Sequence, residues 1–227
     1  MKNTARAKLL QGAMTTLIDP RHPSPGLAQF LGQLGFDMIF LDCEAGSAGL
    51  ETVDNMARAV RLAGSSPLVR VEAHEEPLIA RYLARQIDGL IFPHVDDAAT
   101  ANRLSQAVRL SKGGEDKTVI VMIESVEAIG NLDGMLDVPG IDALFVGSAD
   151  LAHSMGHAWQ GDHPAVIEAT ASIARRCRAK GRIVGARVSE ANAQPLLGSG
   201  ITLAYLDAES LIRLGQQAFQ PLLEKAK

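Results

Sequence analysis

Thr118-Val119-Ile120-Val121-Met122-Ile123-Glu124-Ser125 places an unbroken apolar run, Val119 to Ile123, in front of a carboxylate and a serine. A strand with one wet face alternates apolar and polar residues, so a run without alternation fits a strand covered on both faces, as in a parallel sheet wrapped by helices. The segment after it, Val126–Leu136, spaces its apolar residues for a helix. Working outward in both directions, the same unit recurs. The apolar runs are Leu9–Ile18, Asp37–Cys43, Pro67–Glu72, Gly89–His94, Thr118–Ser125, Ala143–Ser148, Ile183–Ser189 and Leu203–Ala208. The helical stretches are Pro25–Leu34, Leu50–Ala63, Glu76–Gln86, Ala98–Ser111, Val126–Leu136, His163–Lys180, Glu190–Gly198 and Glu209–Lys225. Gly35, Gly64, Gly181 and Gly200 fall where helices should stop. Strict alternation of strand and helix predicts an α/β chain folded as a single (β/α)8 TIM barrel over residues 1–227, with an open doubly wound sheet as the alternative. Lys112–Lys117 and Met155–Asp162 read as loops.

The composition fits this. A chain of 227 residues with 47% hydrophobic content suits one large core. The formal charge of −4 offers no basic field for nucleic acid or anionic lipid, which leaves a small molecule as the expected partner. Cys43 and Cys177 lie far apart without metal-ligand spacing, as in a reducing compartment. No run approaches the roughly 18 apolar residues of a membrane span, and Met1–Arg6 leads into no signal-type segment, so the expected location is the cytoplasm.

A barrel carries its chemistry at the C-terminal ends of its strands. There the sequence offers Asp42-Cys43-Glu44, Arg70 with Glu72, Pro93-His94, Glu124-Ser125 and Gly147-Ser148-Ala149-Asp150. Glu124 and Asp150, from neighbouring strand ends, have the chemistry to share a hard divalent cation such as Mg2+ or Mn2+, leaving positions for water and substrate oxygens. The alternative is that each caps the helix after its strand. Arg70 needs an anionic partner, either a substrate oxygen or one of Asp42, Glu44 and Glu72. The small residues Gly147, Ser148 and Ala149 open a helix whose free N–H groups suit a carboxylate, although such residues also fill tight turns for steric reasons.

Taken together, Gly35-Phe36-Asp37, Leu41-Asp42-Cys43-Glu44, Val69-Arg70-Val71, Met122-Ile123-Glu124-Ser125, Asn131-Leu132, the stretch Gly140 to Leu151, Gly156-His157 and His163-Pro164 resemble the class II, metal-dependent pyruvate aldolases. That family includes hydroxyheptanedioate aldolase, 2-keto-3-deoxy-rhamnonate aldolase and macrophomate synthase, with citrate lyase β-subunits more distant. The resemblance implies a barrel in which Glu124 and Asp150 hold Mg2+ or Mn2+, Arg70 stabilises an enolate oxygen, and the turn at Ser148 and Ala149 meets the substrate carboxylate. It also implies a homo-oligomer, dimer-based and in many members hexameric, in which the last helix is exchanged between subunits.

The departures from the family pattern fall at the acid–base group. The family's histidine after the second-strand glutamate is Ala45 here, and its supporting aspartate aligns with Ala84. Met122 replaces a glutamine. His94 is the candidate substitute for the proton transfer; His22 is a second candidate, and His153, His157, His163 and Trp159 read as structural or rim residues. The expected activity is lysis of a carbon–carbon bond in a 2-oxo acid through a pyruvate enolate, by retro-aldol cleavage of a 4-hydroxy-2-oxo acid or by decarboxylation of oxaloacetate. The alternatives are a citrate-synthase-like condensation of oxaloacetate with an acyl-CoA, and a non-catalytic keto-acid-binding descendant.

Overall fold

The structure is a computed structural model that describes residues 4–224. The elements run α1 (Thr4–Leu10), β1 (Thr15–Asp19), α2 (Pro25–Gln33), β2 (Met38–Asp42), α3 (Leu50–Leu62), β3 (Ser66–Arg70), α4 (Glu76–Leu83), β4 (Gly89–Phe92) and α5 (Ala98–Arg109). They continue with β5 (Thr118–Ile123), α6 (Val126–Gly130), α7 (Leu132–Leu136), β6 (Ala143–Val146), α8 (Ser148–Ser154), α9 (Pro164–Ala179), β7 (Val184–Arg187), α10 (Ala193–Ser199), β8 (Leu203–Asp207) and α11 (Ala208–Glu224). The strands pair in parallel in the order β1 to β8, and β8 closes back on β1 with Thr15 opposite Leu203 and Asp19 opposite Asp207. This is the (β/α)8 barrel expected from the sequence, and the doubly wound alternative is excluded by the closure.

Two apolar clusters account for the unbroken runs. One lies between sheet and helices and includes Ile39, Leu41, Val69, Val121, Ile123, Leu144 and Val146. The other fills the barrel with Leu17, Met38, Phe40, Leu68, Ile91, Ile120, Met122, Phe145 and Leu203. Each strand is therefore apolar on both faces.

Most expected elements end within a few residues of the observed ones, with α4 stopping at Leu83 instead of Gln86, and three differ in kind or division. The run Leu9–Ile18 is not one strand: Leu9 and Leu10 end α1, Gly12 turns the chain at φ +69°, and β1 begins at Thr15. Ala5 and Leu9 of α1 join the inner cluster and close the barrel's N-terminal mouth, so the apolar signal was real but helical. Val126–Leu136 divides at Asn131 into α6 and α7. The stretch Glu190–Gly198 becomes helical only from Ala193. Lys225, the expected end of the last helix, lies outside the described residues.

The N-terminal face is held by ions. Asp142, buried, accepts from Arg6 Nε at 3.0 Å and Nη2 at 2.9 Å, from Arg109 Nη2 at 2.7 Å, and from the Val119 amide at 2.8 Å. Lys8 Nζ donates to both oxygens of Asp37 at 2.8 Å, which fixes α1 against β2.

Candidate active site

Side chains alternate across a strand, so a residue two positions beyond an inward one also points inward. Leu17, Phe40, Leu68, Met122 and Phe145 face the barrel interior. Two residues later, at the C-terminal mouth, stand Asp19, Asp42, Arg70, Glu124 and Gly147. The same parity brings Arg187 to the mouth after Gly185, and Asp207 after Tyr205. The inward layer changes from hydrocarbon to charge at one level, where a cavity of about 870 Å³ opens, lined by Arg70, Glu124, Gly147, Ser148, Ala149 and Asp150 among others.

Arg70 is held from two sides. Its Nε and Nη2 donate to Asp42 Oδ1 and Oδ2 at 2.9 and 2.8 Å, a bidentate pair, and Nη1 meets Glu44 Oε2 at 2.7 Å. Burial would lower the guanidinium's pKa, but the Asp42 hydrogen bonds and charge, with the charges of Glu44 and Glu124, raise it. Arg70 is a fixed cation whose partners are Asp42 and Glu44; Glu72 instead accepts from Tyr82 Oη at 2.6 Å. Of the partners expected from the sequence, Asp42 and Glu44 are the ones Arg70 meets, and the guanidinium also lines the cavity.

His94 completes this group. It follows β4 with φ +52°, a left-handed conformation that is uncommon outside glycine. That conformation turns its amide onto Glu124 Oε2 at 2.7 Å, while Nε2 reaches Glu44 Oε1 at 2.7 Å and Nδ1 lies 3.4 Å from Glu124 Oε2. The imidazole, more than half exposed, bridges Glu44, a partner of Arg70, and Glu124.

Glu124 is almost fully buried, and its Oε1 has no hydrogen-bond partner. Burial pushes its carboxyl up to about 7; the His94 amide pulls the other way and the charges of Asp150 and Glu44 push further up. Glu124 does not cap the following helix, because Ser125 Oγ accepts from the Ala128 amide at 2.9 Å and does so itself. Asp150, in the first turn of α8, is half-buried and lines the same cavity.

A buried, unpartnered carboxylate oxygen is costly, and a cation is the group it suits. Among the described residues no three His, Cys, Asp or Glu side chains converge to hold a metal. Glu124 and Asp150 line one cavity, and two carboxylates alone would leave most of the coordination of a hard ion such as Mg2+ or Mn2+ to water and substrate oxygens. Gly147 spends its amide on the Ile123 carbonyl at 3.1 Å and so does not offer it to a ligand. What it offers is space: a β-carbon there would lie 2.7 Å from Glu124 Cγ.

His22 stands apart, 70% exposed and 3.4 Å from Glu209. It lines a smaller adjoining cavity of about 280 Å³ that includes Ala45. His157 stacks on His163 with ring centroids 3.8 Å apart, and His153 on Trp159 at 4.2 Å, so these build the loop beside the mouth. Strand-end reasoning passed over Asp19, Arg187 and Asp207, although each ends its strand on the inward side.

The sequence profile of the HpcH/HpaI aldolase/citrate lyase family matches residues 22–206, which is most of the chain and includes Arg70, His94, Glu124 and Asp150. The chain belongs to that family. A hydroxypyruvate/pyruvate aldolase of Cupriavidus necator is 31% identical over 192 residues, covering 74% of this chain and 71% of its own. A 5-keto-4-deoxy-D-glucarate aldolase of Salmonella arizonae is 28% identical over 228 residues, covering 89% of each. Among solved structures, an HpcH/HpaI aldolase/citrate lyase family protein from Burkholderia cenocepacia superposes with a TM-score of 0.88 at 26% identity, over 97% of this chain and 99% of that one. As an HpcH/HpaI family member the chain is a lyase of the aldolase kind. Dependence on a divalent metal is general in the family.

Proposed function

We propose that the chain releases pyruvate from a 2-oxo acid, by retro-aldol cleavage of a 4-hydroxy-2-oxo acid or by decarboxylation of oxaloacetate, with Mg2+ or Mn2+ held by Glu124 and Asp150. The observation that carries this reading is the buried, unpartnered Oε1 of Glu124 beside a guanidinium fixed in the same cavity. When bound, the metal would supply positive charge to the carboxylate and keto oxygens of the 2-oxo acid.

The chain's own residues supply the rest. Arg70, preset by Asp42 and Glu44, offers a second positive charge where the C2 oxygen gains electron density, and a preorganised donor of this kind contributes about 3–4 kcal/mol. The amides of Ser148 and Ala149, at the start of α8, face the substrate carboxylate. In the retro-aldol direction the C3–C4 bond breaks and its electron pair passes to C3 and the C2 oxygen. The C4 hydroxyl loses its proton to leave an aldehyde, and C3 then gains a proton to give pyruvate. Ala45 has no proton acceptor, so His94, backed by Glu44 at 2.7 Å, takes the hydroxyl proton. Decarboxylation breaks C3–C4 with loss of CO2 and needs no such acceptor.

The apolar residues Ile212, Phe219, Leu222 and Leu223 of α11 are exposed, which supports a homo-oligomer joined through that helix. No helix among the described residues is long and apolar enough to cross a membrane, in keeping with the cytoplasmic location we propose. Pyruvate release from oxaloacetate and from a panel of 4-hydroxy-2-oxo acids, with Mn2+ or with EDTA, tests the reading. Metal-dependent release that Glu124→Ala abolishes is expected. His94→Ala should lower cleavage of the hydroxy acids about 100-fold and decarboxylation far less. Absence of pyruvate from every substrate with metal present would sink the proposal.

A further inference from the structure

In a closed eight-stranded barrel with strands in sequential order, β3 and β7 are four places apart in either direction and stand on opposite walls. Each ends on an inward arginine, Arg70 on β3 and Arg187 on β7, and both line the same cavity. Beneath Arg187 the wall is bare: a β-carbon at Gly185 would meet Phe145 Cδ2 at 2.8 Å and Leu203 Cβ at 2.9 Å. Arg187 is thus the first inward side chain of β7 above the filled core, and its side chain is 34% exposed at the mouth.

The acids next to Arg187 are supplied with donors by other groups. Asp162 pairs with Arg187 Nη1 at 3.0 Å, but it also accepts from Ser189 Oγ at 3.2 Å and Asn192 Nδ2 at 2.9 Å. Asp207, 3.9 Å from Arg187 Nε, has both oxygens taken at 2.8 Å by the amide and hydroxyl of Ser210 at the start of α11. Nη2 of Arg187 makes no hydrogen bond among the described residues. A guanidinium presents its donors as a planar fork suited to a carboxylate, and this one keeps a face open to the cavity.

We propose that Arg187 is the specificity residue for a second carboxylate, so that the substrate is a diacid: a 4-hydroxy-2-oxo acid whose aldehyde-derived part ends in a carboxylate. The inference rests on the lyase reading above and extends it to the acceptor half of the molecule. One end of such a substrate meets Arg70 and Glu124, and the other reaches the opposite wall.

The test compares two 4-hydroxy-2-oxo acids of equal length, one ending in a carboxylate and one in a methyl group. The wild-type protein should favour the diacid by tenfold or more in kcat/KM. Arg187→Leu should lower kcat/KM for the diacid by about 10- to 100-fold, mainly through KM, and leave the neutral substrate within about twofold, as expected for loss of one charge-assisted pair. Arg187→Gln replaces the leucine variant if that one fails to fold, and Arg187→Lys should recover part of the preference. Asp162→Asn breaks the ion pair to the loop but keeps the guanidinium, and should preserve the diacid preference. Equal losses on both substrates in Arg187→Leu, or the same loss in Asp162→Asn, would show that Arg187 only clips the loop and would overturn the proposal. If neither substrate yields pyruvate, the lyase reading has failed on its own, and binding decides the rest. Trp159, the sole tryptophan, lines the cavity and reports binding by fluorescence. Tenfold tighter binding of glutarate than of butyrate, lost in Arg187→Leu, would sustain the anion site, and equal affinities would refute it.

Discussion

Replacing Glu124 by glutamine should make the metal-free protein more stable and blind to metal. Burial holds the Glu124 carboxyl at about 7 against an ordinary value of 4.5. At 1.36 kcal/mol per pH unit, ionising it in the folded, metal-free protein costs about 3 kcal/mol. The sign follows from linkage. The folded value lies above the unfolded one, so the folded state binds the extra proton between these values; this group's contribution is full below pH 4.5 and is lost as pH rises through about 7. At pH 8 the wild-type protein in EDTA bears the whole penalty and Glu124→Gln bears none, with its carbonyl still available to the His94 amide. For a domain of this size each kcal/mol moves Tm by roughly 2–4 °C, so the variant should melt roughly 6–12 °C higher at pH 8 and close to wild type at pH 4.5. Adding Mn2+ should reverse the order, because the cation stabilises only the form with the carboxylate. The assay is thermal unfolding at the two pH values, with EDTA and with Mn2+. A variant that melts below wild type in EDTA at pH 8, or that gains as much from Mn2+, would refute the account of the orphaned oxygen.

Arg70→Lys keeps one charge but loses the two-pronged contact with Asp42; kcat for pyruvate formation should fall by 100- to 1000-fold in a coupled assay, and a change below tenfold would remove Arg70 from the chemistry. Asp142→Asn strips two arginines of a buried partner and should cost about 3 kcal/mol or more, read as a lower urea midpoint with unchanged activity per folded molecule. Burial pushes the thiols of Cys43 and Cys177 up to about 11, so a disulfide reagent at pH 8 should modify neither until denaturant is added; rapid labelling of the native protein would contradict their burial.

Strands were legible because each sits between two apolar layers, and unbroken hydrophobic runs have few other uses in a chain with this much charge. The run Leu9–Ile18 differs because Leu9 serves the same inner layer from a helix, and burial alone does not record which backbone delivers it. Glu124, Asp150 and Arg70 could be found from position, since a charge at the end of an apolar run needs a reason to be there. The bridging of Glu44 and Glu124 by His94 was not readable. It depends on a left-handed backbone at a residue whose type gives no sign of it. Arg187 is less legible, because the short strand Val184–Arg187 puts Gly185 at the inward position before it and so carries no inward apolar side chain to reveal the parity.

Gly147 and Glu124 come from different strands, yet they can change only together. A methyl group on Gly147 would occupy the room in which the carboxylate lies, 2.7 Å from its Cγ. An alanine there would displace the carboxylate with every charged residue of the mouth still in place. A mutational scan would then score position 147 as though it were a ligand, although it donates nothing to the site. In a lineage that lost the metal the constraint would lapse, and the first methyl group admitted at 147 would make the loss hard to reverse.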